Sequence, residues 1–241
     1  MSDFAALFAE IFEANNLNRF ITENNIAAFE RLTALLADFN AHTNITAVAG
    51  ERDTIALHYA DSLVCAGLMP EGAHLLDVGC GGGFPSLPLA VARPDLHVTA
   101  LDATAKKLRF VELAAADLGL DNIAPLCGRA EVLGHEPKHR GKYSVVVARA
   151  VAPLGRLLEY CLPFTSSDGR FIALKGQRGA EELEESASAL EKLRGRVVRS
   201  YEYTLYGAGE PQSRFAAVFV PSGKLPDSFP RSNSAITKRP L

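Results

Sequence analysis

The residues best equipped for chemistry lie in one short run, Asp77-Val78-Gly79-Cys80-Gly81-Gly82-Gly83-Phe84-Pro85. Glycine allows positive φ and lets backbone approach a ligand without a Cβ. A helix that follows such a turn offers unpaired N–H groups and the positive end of its dipole. A loop of this kind suits a carboxylate or a phosphate, and spacing separates the ligand classes. A dinucleotide fingerprint is G-x-G-x-x-G, but counted from Gly79 the third glycine position holds Phe84, and counted from Gly81 it holds Ser86. The pattern here is G-x-G-x-G. Asp102 closes the next β-rich run, where a carboxylate can accept both hydroxyls of a ribose. Together these features fit an adenosine that carries a methionine tail, S-adenosyl-L-methionine. A plainer reading stays open beside it. Glycine-rich β-to-α turns also serve close helix–strand packing, and Asp102 beside Thr104 also suits a helix start.

The elements that must position this loop fall into two regimes. Phe4, Leu7, Phe8, Ile11 and Phe12 form one apolar stripe at helical spacing, and Ile26, Phe29, Leu32, Leu35, Leu36 and Phe39 form a second. With a third helical stretch over Thr54 to Leu68, residues 1–70 read as an N-terminal helical cap. After Pro70, short β-rich runs alternate with helical ones, which predicts a parallel sheet with crossover helices. The expected strands are His74 to Val78, His97 to Leu101, Ile123 to Cys127, Tyr143 to Ala148 and Phe171 to Leu174. Helices are expected near 85–93, 104–118, 131–135, 153–162 and 178–193. Arg196 to Tyr206 and Arg214 to Val220 then follow with no room for a helix between them, so a β-hairpin closes the sheet. The prediction is an α/β fold: a Rossmann-like seven-stranded sheet with a terminal β-hairpin over residues 71–220, the layout of class I S-adenosylmethionine-dependent methyltransferases. Residues 221–241 read as a polar tail without periodicity.

Composition excludes other classes. A chain of 241 residues with 48% hydrophobic residues can bury a full core, which excludes global disorder. Its formal net charge of -3 supplies no bulk attraction to nucleic acid or membrane, so any RNA affinity must come from a local patch. Cys65, Cys80, Cys127 and Cys161 form no C-x-x-C pair, so no metal site is expected and the thiols read as reduced and mostly buried. The first residues carry neither a basic segment nor an unbroken apolar run, so no signal peptide is expected; nor is a membrane span. A cytoplasmic location follows as the expectation.

The run Asp77 to Pro88, with Phe84-Pro85-Ser86-Leu87-Pro88 at its end, resembles the signature D-V-G-x-G-x-G-F-P-G-x-P of the bacterial small-subunit (16S) rRNA guanine-N7 methyltransferases. That family is also called RsmG, or glucose-inhibited division protein B (GidB). Further matches follow in order along the chain. Asn44-Ile45-Thr46-Ala47 resembles the family's N-L-T-A, His58-Tyr59-Ala60-Asp61-Ser62-Leu63 its H-x-x-D-S-L, and Arg129-Ala130-Glu131 its R-x-E; Arg149-Ala150 and Lys175-Gly176 also match. Ser86 and Ala148 stand where the family usually has Gly and Ser, and in the tail Ser234 and Ile236 replace a customary Gly and Pro.

The resemblance implies methyl transfer from S-adenosyl-L-methionine to N7 of a guanine in the 530-loop of 16S rRNA, within the 30S subunit or an assembly precursor, by a monomer. It implies that Gly79, Gly81, Gly83 and Phe84 line the cofactor loop, that Asp102, Ala103 and Thr104 meet the ribose side, and that Ala130 and Glu131 flank the adenine. Arg149 would face the reacting centre as the catalytic residue and also touch the cofactor. Phe84 and Glu131 have duller readings, as packing at a helix start and as a helix-terminal charge. Lys106, Lys175, Arg178 and Arg231 are the candidate RNA contacts, each with a solvated surface as its alternative. The fourth strand's end lacks the Pro-Pro-aromatic clamp of exocyclic-amine methylation, and no Pro-Cys motif is present for attack on pyrimidines. Guanine N7 needs neither, nor a general base, because its in-plane lone pair carries no proton. His58 and Asp61 are therefore expected to hydrogen-bond the helical cap onto the sheet, with a direct role in positioning RNA as the alternative. Methylation of a protein or small molecule, and RNA binding by a ribosome-assembly factor without turnover, remain alternatives on sequence alone.

Overall fold

The computed structural model describes residues 2–241. Two long helices open the chain. In α1 (Asp3–Ala14) the Ser2 hydroxyl accepts a hydrogen bond from Ala5 N, and in α2 (Glu23–Thr43) the Thr22 hydroxyl accepts one from Asn25 N, each satisfying an orphan donor of the first turn. Asn44, in the left-handed region at φ 48°, ends α2. The third helical stretch is irregular. Short α turns, α3 (Glu51–Asp53) and α4 (Asp61–Leu63), flank a π-helical segment, Thr54–Ala60, and a 3-10 turn follows at Ala66–Leu68.

The sheet is built from β1 (His74–Val78), β2 (His97–Asp102), β3 (Ile123–Cys127), β4 (Tyr143–Arg149), β5 (Thr165–Lys175), β6 (Gly195–Leu205) and β7 (Gln212–Pro221), in the spatial order β3-β2-β1-β4-β5-β7-β6. β1 to β5 run parallel, while β7 is antiparallel to both β5 and β6. This is the expected seven-stranded layout with its closing hairpin. Crossover helices are α5 (Ser86–Ala92), α6 (Ala105–Leu118), α7 (Ala130–Leu133), α8 (Leu154–Cys161), and the pair α9 (Gly179–Glu185) and α10 (Ala187–Lys192), which replaces the single helix expected over 178–193. β5 starts earlier than the apolar run at Phe171, because Tyr143 pairs with Thr165 before a bulge resets the register to Val145 opposite Arg170.

Strand alternation divides the core. Leu75, Val145, Val147, Ile172 and Leu174 face the N-terminal helices and pack in one cluster with Phe8, Phe12, Phe29 and Tyr59. Leu76, Val146, Ala148, Phe171 and Ala173 face the other way, onto Leu157, Leu158 and Cys161 of α8. Both faces are thus buried, as parallel strands require. The chain leaves β1 toward β2 and β3 on one side, then returns to β4 and β5 on the other. The carboxyl ends of β1 and β4 therefore flank the switch point where open α/β sheets bind ligands. The tail, read as aperiodic, contains a further short helix, α11 (Asn233–Lys238), whose Ile236 is fully buried. Among the described residues, no helix is long and apolar enough to cross a membrane, and no group of three or more His, Cys, Asp or Glu side chains is placed to hold a metal ion.

Candidate functional site

The glycine loop begins where β1 ends. Gly79 N and Cys80 N donate to Leu101 O at 2.8 and 2.9 Å, so the turn is locked to the end of β2. Gly79 has φ +76°, and a Cβ there would sit 2.7 Å from Val151 Cγ2. Position 79 is therefore closed to any side chain on two independent counts, backbone conformation and close approach. Gly81 and Gly83 also have positive φ, at +58° and +90°.

Asp102 anchors the opposite side of the loop. Its Oδ2 accepts from Gly81 N at 3.0 Å and its Oδ1 from Thr104 N at 2.7 Å, which fixes the carboxylate at the end of β2 while leaving each oxygen a free lone pair. Beside it opens a cavity of 340 Å³, within the range of about 300–1,000 Å³ typical of small-molecule sites. Gly79, Asp102 and Ala103 line one wall, Ala130 and Glu131 a second, and Arg156, Tyr160 and Asn233 a third. Apolar cover comes from Val78, Leu101 and Val151. A fixed carboxylate facing small apolar residues across such a space fits a nucleoside, with the ribose hydroxyls donating to Asp102.

The other sequence candidates fall outside this cavity. The Phe84 ring lies flat on the His58 imidazole, centroids 4.0 Å apart and planes inclined by 5°, so its side chain packs the cap onto the loop and does not line the cavity. Gly81, Gly83 and Thr104 do not line it either: Gly83 packs against Leu87 and Val111, and Gly81 N and Thr104 N both donate to Asp102. Asp77 is completely buried on the cap-facing side of β1, accepting from Ser86 N and Oγ at 3.1 and 2.5 Å through Oδ2, with Oδ1 unpartnered. Burial pushes its pKa up to about 7.

Arg149, at the end of β4, shares the sheet face of Val145 and Val147 and so points at the cap. Its Nη1 donates to Leu57 O at 2.7 Å and to Asp61 Oδ2 at 3.0 Å, while its Nε and Nη2 make no hydrogen bond among the described residues. Asp61 also accepts from Tyr203 Oη at 3.0 Å and lies 3.6 Å from Arg214 Nε. His58 Nε2 pairs with Thr46 Oγ1 at 2.8 Å, its buried Nδ1 is unpartnered, and desolvation with the nearby Arg149 charge lowers its pKa to about 3. His58 is thus neutral at physiological pH. Asp61 ties the cap to the sheet through Arg149 and Tyr203, as expected, whereas the one hydrogen bond of His58 stays within the cap, at Thr46, and its ring meets the loop only by stacking on Phe84.

The candidate RNA contacts divide. Lys175 is nearly buried, donating to Ala152 O and pairing with Glu182 at 2.8 Å. Arg231 is spent on Glu159, a carboxylate only 1% exposed, through Nε at 2.8 Å and Nη2 at 2.7 Å. In both, the charge is neutralised internally by an ion pair. Arg178 is exposed but shared between Glu181 and Glu185. Lys106, exposed at the start of α6, has no ion-pair partner among the described residues. Sequence reasoning missed Arg156, Tyr160 and Asn233. The signal for the first two is their i, i+4 spacing on α8; for Asn233 nothing in the sequence marks it.

Three comparisons bear on this site. The family model described as rRNA small subunit methyltransferase G (GidB) matches residues 25–204. The chain is 40% identical to the ribosomal RNA small subunit methyltransferase G of Lactobacillus delbrueckii subsp. bulgaricus, covering 98% of both chains. It is 42% identical to that of Deinococcus radiodurans over 88% of this chain and 84% of the relative. Among solved structures, a SAM-dependent methyltransferase from Methanosarcina mazei superposes with a TM-score of 0.53 at 16% identity, covering 67% of this chain and 98% of that one. TYW2 from M. jannaschii, solved in complex with AdoMet, superposes with a TM-score of 0.51 at 15% identity, covering 67% and 74%. At such identities the superpositions speak for the fold, while the family match and the close relatives over nearly the full chain identify this chain as a member of the rRNA small subunit methyltransferase G family.

Proposed function

We propose that the chain is an S-adenosylmethionine-dependent methyltransferase that modifies N7 of a guanine in small-subunit rRNA. The observation that carries this reading is the Asp102 carboxylate, fixed by Gly81 N and Thr104 N across a 340 Å³ cavity from Ala130 and Glu131. That carboxylate accepts the ribose hydroxyls beside Ala103, Gly79 lets the backbone pass close to the cofactor, and Ala130 and Glu131 border the base. When bound, the cofactor supplies an electrophilic methyl on a sulfonium.

The protein's share of the chemistry is alignment. Guanine N7 is nucleophilic as it stands, so bringing its lone pair in line at near-attack distance accounts for the rate without a proton acceptor. The site agrees with this demand, since His58, the imidazole nearest the loop, is engaged by Thr46 and Phe84. Arg149 is held at one nitrogen by the cap, and its Nε and Nη2, which make no hydrogen bond among the described residues, are the groups it has to offer the incoming guanine. Displaying the guanine requires an unstacked base, and Lys106 offers an uncommitted charge to neighbouring phosphates. Since the formal net charge of -3 gives no bulk attraction to RNA, recognition leans on a shaped 30S particle or precursor, met in the cytoplasm by a monomer.

Two measurements together test this. Methyl label from S-adenosylmethionine should enter 16S rRNA of 30S particles from cells lacking this gene, and chemical cleavage at N7-methylguanine should map it to one position. Label that stays out of RNA refutes the substrate, and absence of cofactor binding refutes the enzyme.

A further inference from the structure

The third wall of the cofactor cavity comes from the C-terminal tail, and nothing about the glycine loop or Asp102 requires that. Arg156, Glu159 and Tyr160 lie at i, i+3 and i+4 on α8, so they share one face of that helix. All three hold the tail. Glu159 accepts from the backbone N, Nε and Nη2 of Arg231 at 2.8, 2.8 and 2.7 Å. Arg156 Nη2 donates to Thr237 O at 3.0 Å, and Tyr160 Oη donates to Asn233 Oδ1 at 2.7 Å. Arg231 Nη1 then donates to Arg239 O at 3.0 Å, closing the strap on itself, and Ile236 is fully buried beneath it. A buried ion pair of this kind contributes little net stability but constrains geometry strongly, because any other placement of Arg231 strands the Glu159 charge.

What the strap positions is Asn233. Its Oδ1 is committed to Tyr160, which turns its Nδ2 amine into the one hydrogen-bond donor that the tail's side chain brings to the cavity wall, in the space shared with Asp102, Ala130 and Glu131. A purine presents lone pairs of its ring nitrogens in the plane of the base, and an amide NH₂ with its carbonyl already occupied is suited to meet one of them. We infer that Asn233, oriented by Tyr160, is a cofactor-binding residue that donates to the adenine base, and that the strapped tail is part of the cofactor site. This rests on the proposed reading of the cavity as the S-adenosylmethionine site.

Calorimetry on the full-length chain tests it, with S-adenosylhomocysteine and 5′-methylthioadenosine as probes; the second keeps the nucleoside and lacks the amino-acid half. Asn233→Ala should weaken both ligands by a similar factor, roughly 3- to 10-fold, as expected for one neutral hydrogen bond. Asn233→Asp, which swaps the donor for an acceptor, should weaken both further. Tyr160→Phe frees Asn233 Oδ1 and should give a smaller loss on both probes. Thermal midpoints monitor folding, and since Asn233 is exposed and the Arg231–Glu159 clamp is untouched, they should hold. If the wild type binds both probes and Asn233→Ala binds them within twofold of it, the inference is overturned while the proposed function stands. A loss confined to S-adenosylhomocysteine overturns it as well, because the contact would then lie with the amino-acid half. If the wild type binds neither probe, the reading of the cavity fails and the inference fails with it.

Discussion

Asp77 and His58 lie on either side of the glycine loop's packing against the cap, and burial moves their protonation in opposite senses. Folded Asp77 keeps its proton up to about pH 7, whereas an unfolded aspartate releases it near ~3.9. Between those values the folded chain binds one proton more, so this group's contribution is complete below the unfolded pKa and is lost as pH rises, at about 1.4 kcal/mol per pH unit. His58 behaves in reverse. Folded, it titrates at about 3, against ~6.5 unfolded, so its contribution is complete above the unfolded value and is lost as pH falls, again at about 1.4 kcal/mol per unit. Over the shared window, about pH 4.5 to 6, the two slopes cancel in the wild type. Asp77→Asn keeps an acceptor for Ser86 and removes one titration; stability should then rise by about 2 kcal/mol across that window. His58→Gln keeps a partner for Thr46 and removes the other, and stability should fall by about the same amount. Urea unfolding at several pH values reads this directly, and groups common to all three proteins drop out of the differences. Parallel stability–pH curves for the two variants would refute the assignment of a buried neutral acid and a buried neutral base.

Other outcomes follow from the same contacts. Gly79→Ala should abolish detectable cofactor binding by calorimetry, because it meets both a φ of +76° and Val151 at 2.7 Å; adding Val151→Ala should restore little, since the backbone penalty stays. Arg231→Leu should lower stability by about 3–5 kcal/mol in denaturant unfolding by stranding Glu159, and the double change with Glu159→Leu should recover most of it. Lys106→Ala should reduce the salt dependence of rRNA affinity by about one phosphate contact, a log–log slope change of ~0.7 to 0.9, and Arg178→Ala by less because Glu181 and Glu185 already share its charge. Arg149→Ala should depress methylation at least ~10-fold under saturating cofactor, with the chain still folded by circular dichroism, since Asp61 keeps Tyr203 and Arg214; turnover at the wild-type rate would retire its proposed role.

The strands and their carboxyl-end residues were legible because both faces of a parallel sheet are buried, so each β-rich run stands out and its first polar residue marks the ligand edge. Asp102 and Arg149 were found that way. Strand alternation through Val145 and Val147 also carries the orientation of Arg149, toward the cap. Three features were not. The π-helical segment at Thr54–Ala60 keeps an apolar pattern indistinguishable from an α-helix over so short a span. α11 has one buried apolar residue, Ile236, and so no stripe to detect. The fate of cations was hidden for a different reason: Arg231 is sealed by Glu159, 72 positions away, and Lys106 is left open, yet in sequence both are simply basic residues in polar surroundings.

The join between the first helix and the closing hairpin has a consequence for synthesis. Asn15 exchanges hydrogen bonds with Tyr206 across 191 positions, and Ile11 packs where Gly207 turns. The aromatic cluster of Phe8, Phe12 and Phe29 is therefore synthesised well ahead of the hairpin that completes its packing. With contacts of such separation the chain folds slowly, and the nascent amino-terminal helices must wait as a sticky, half-covered surface until the hairpin arrives.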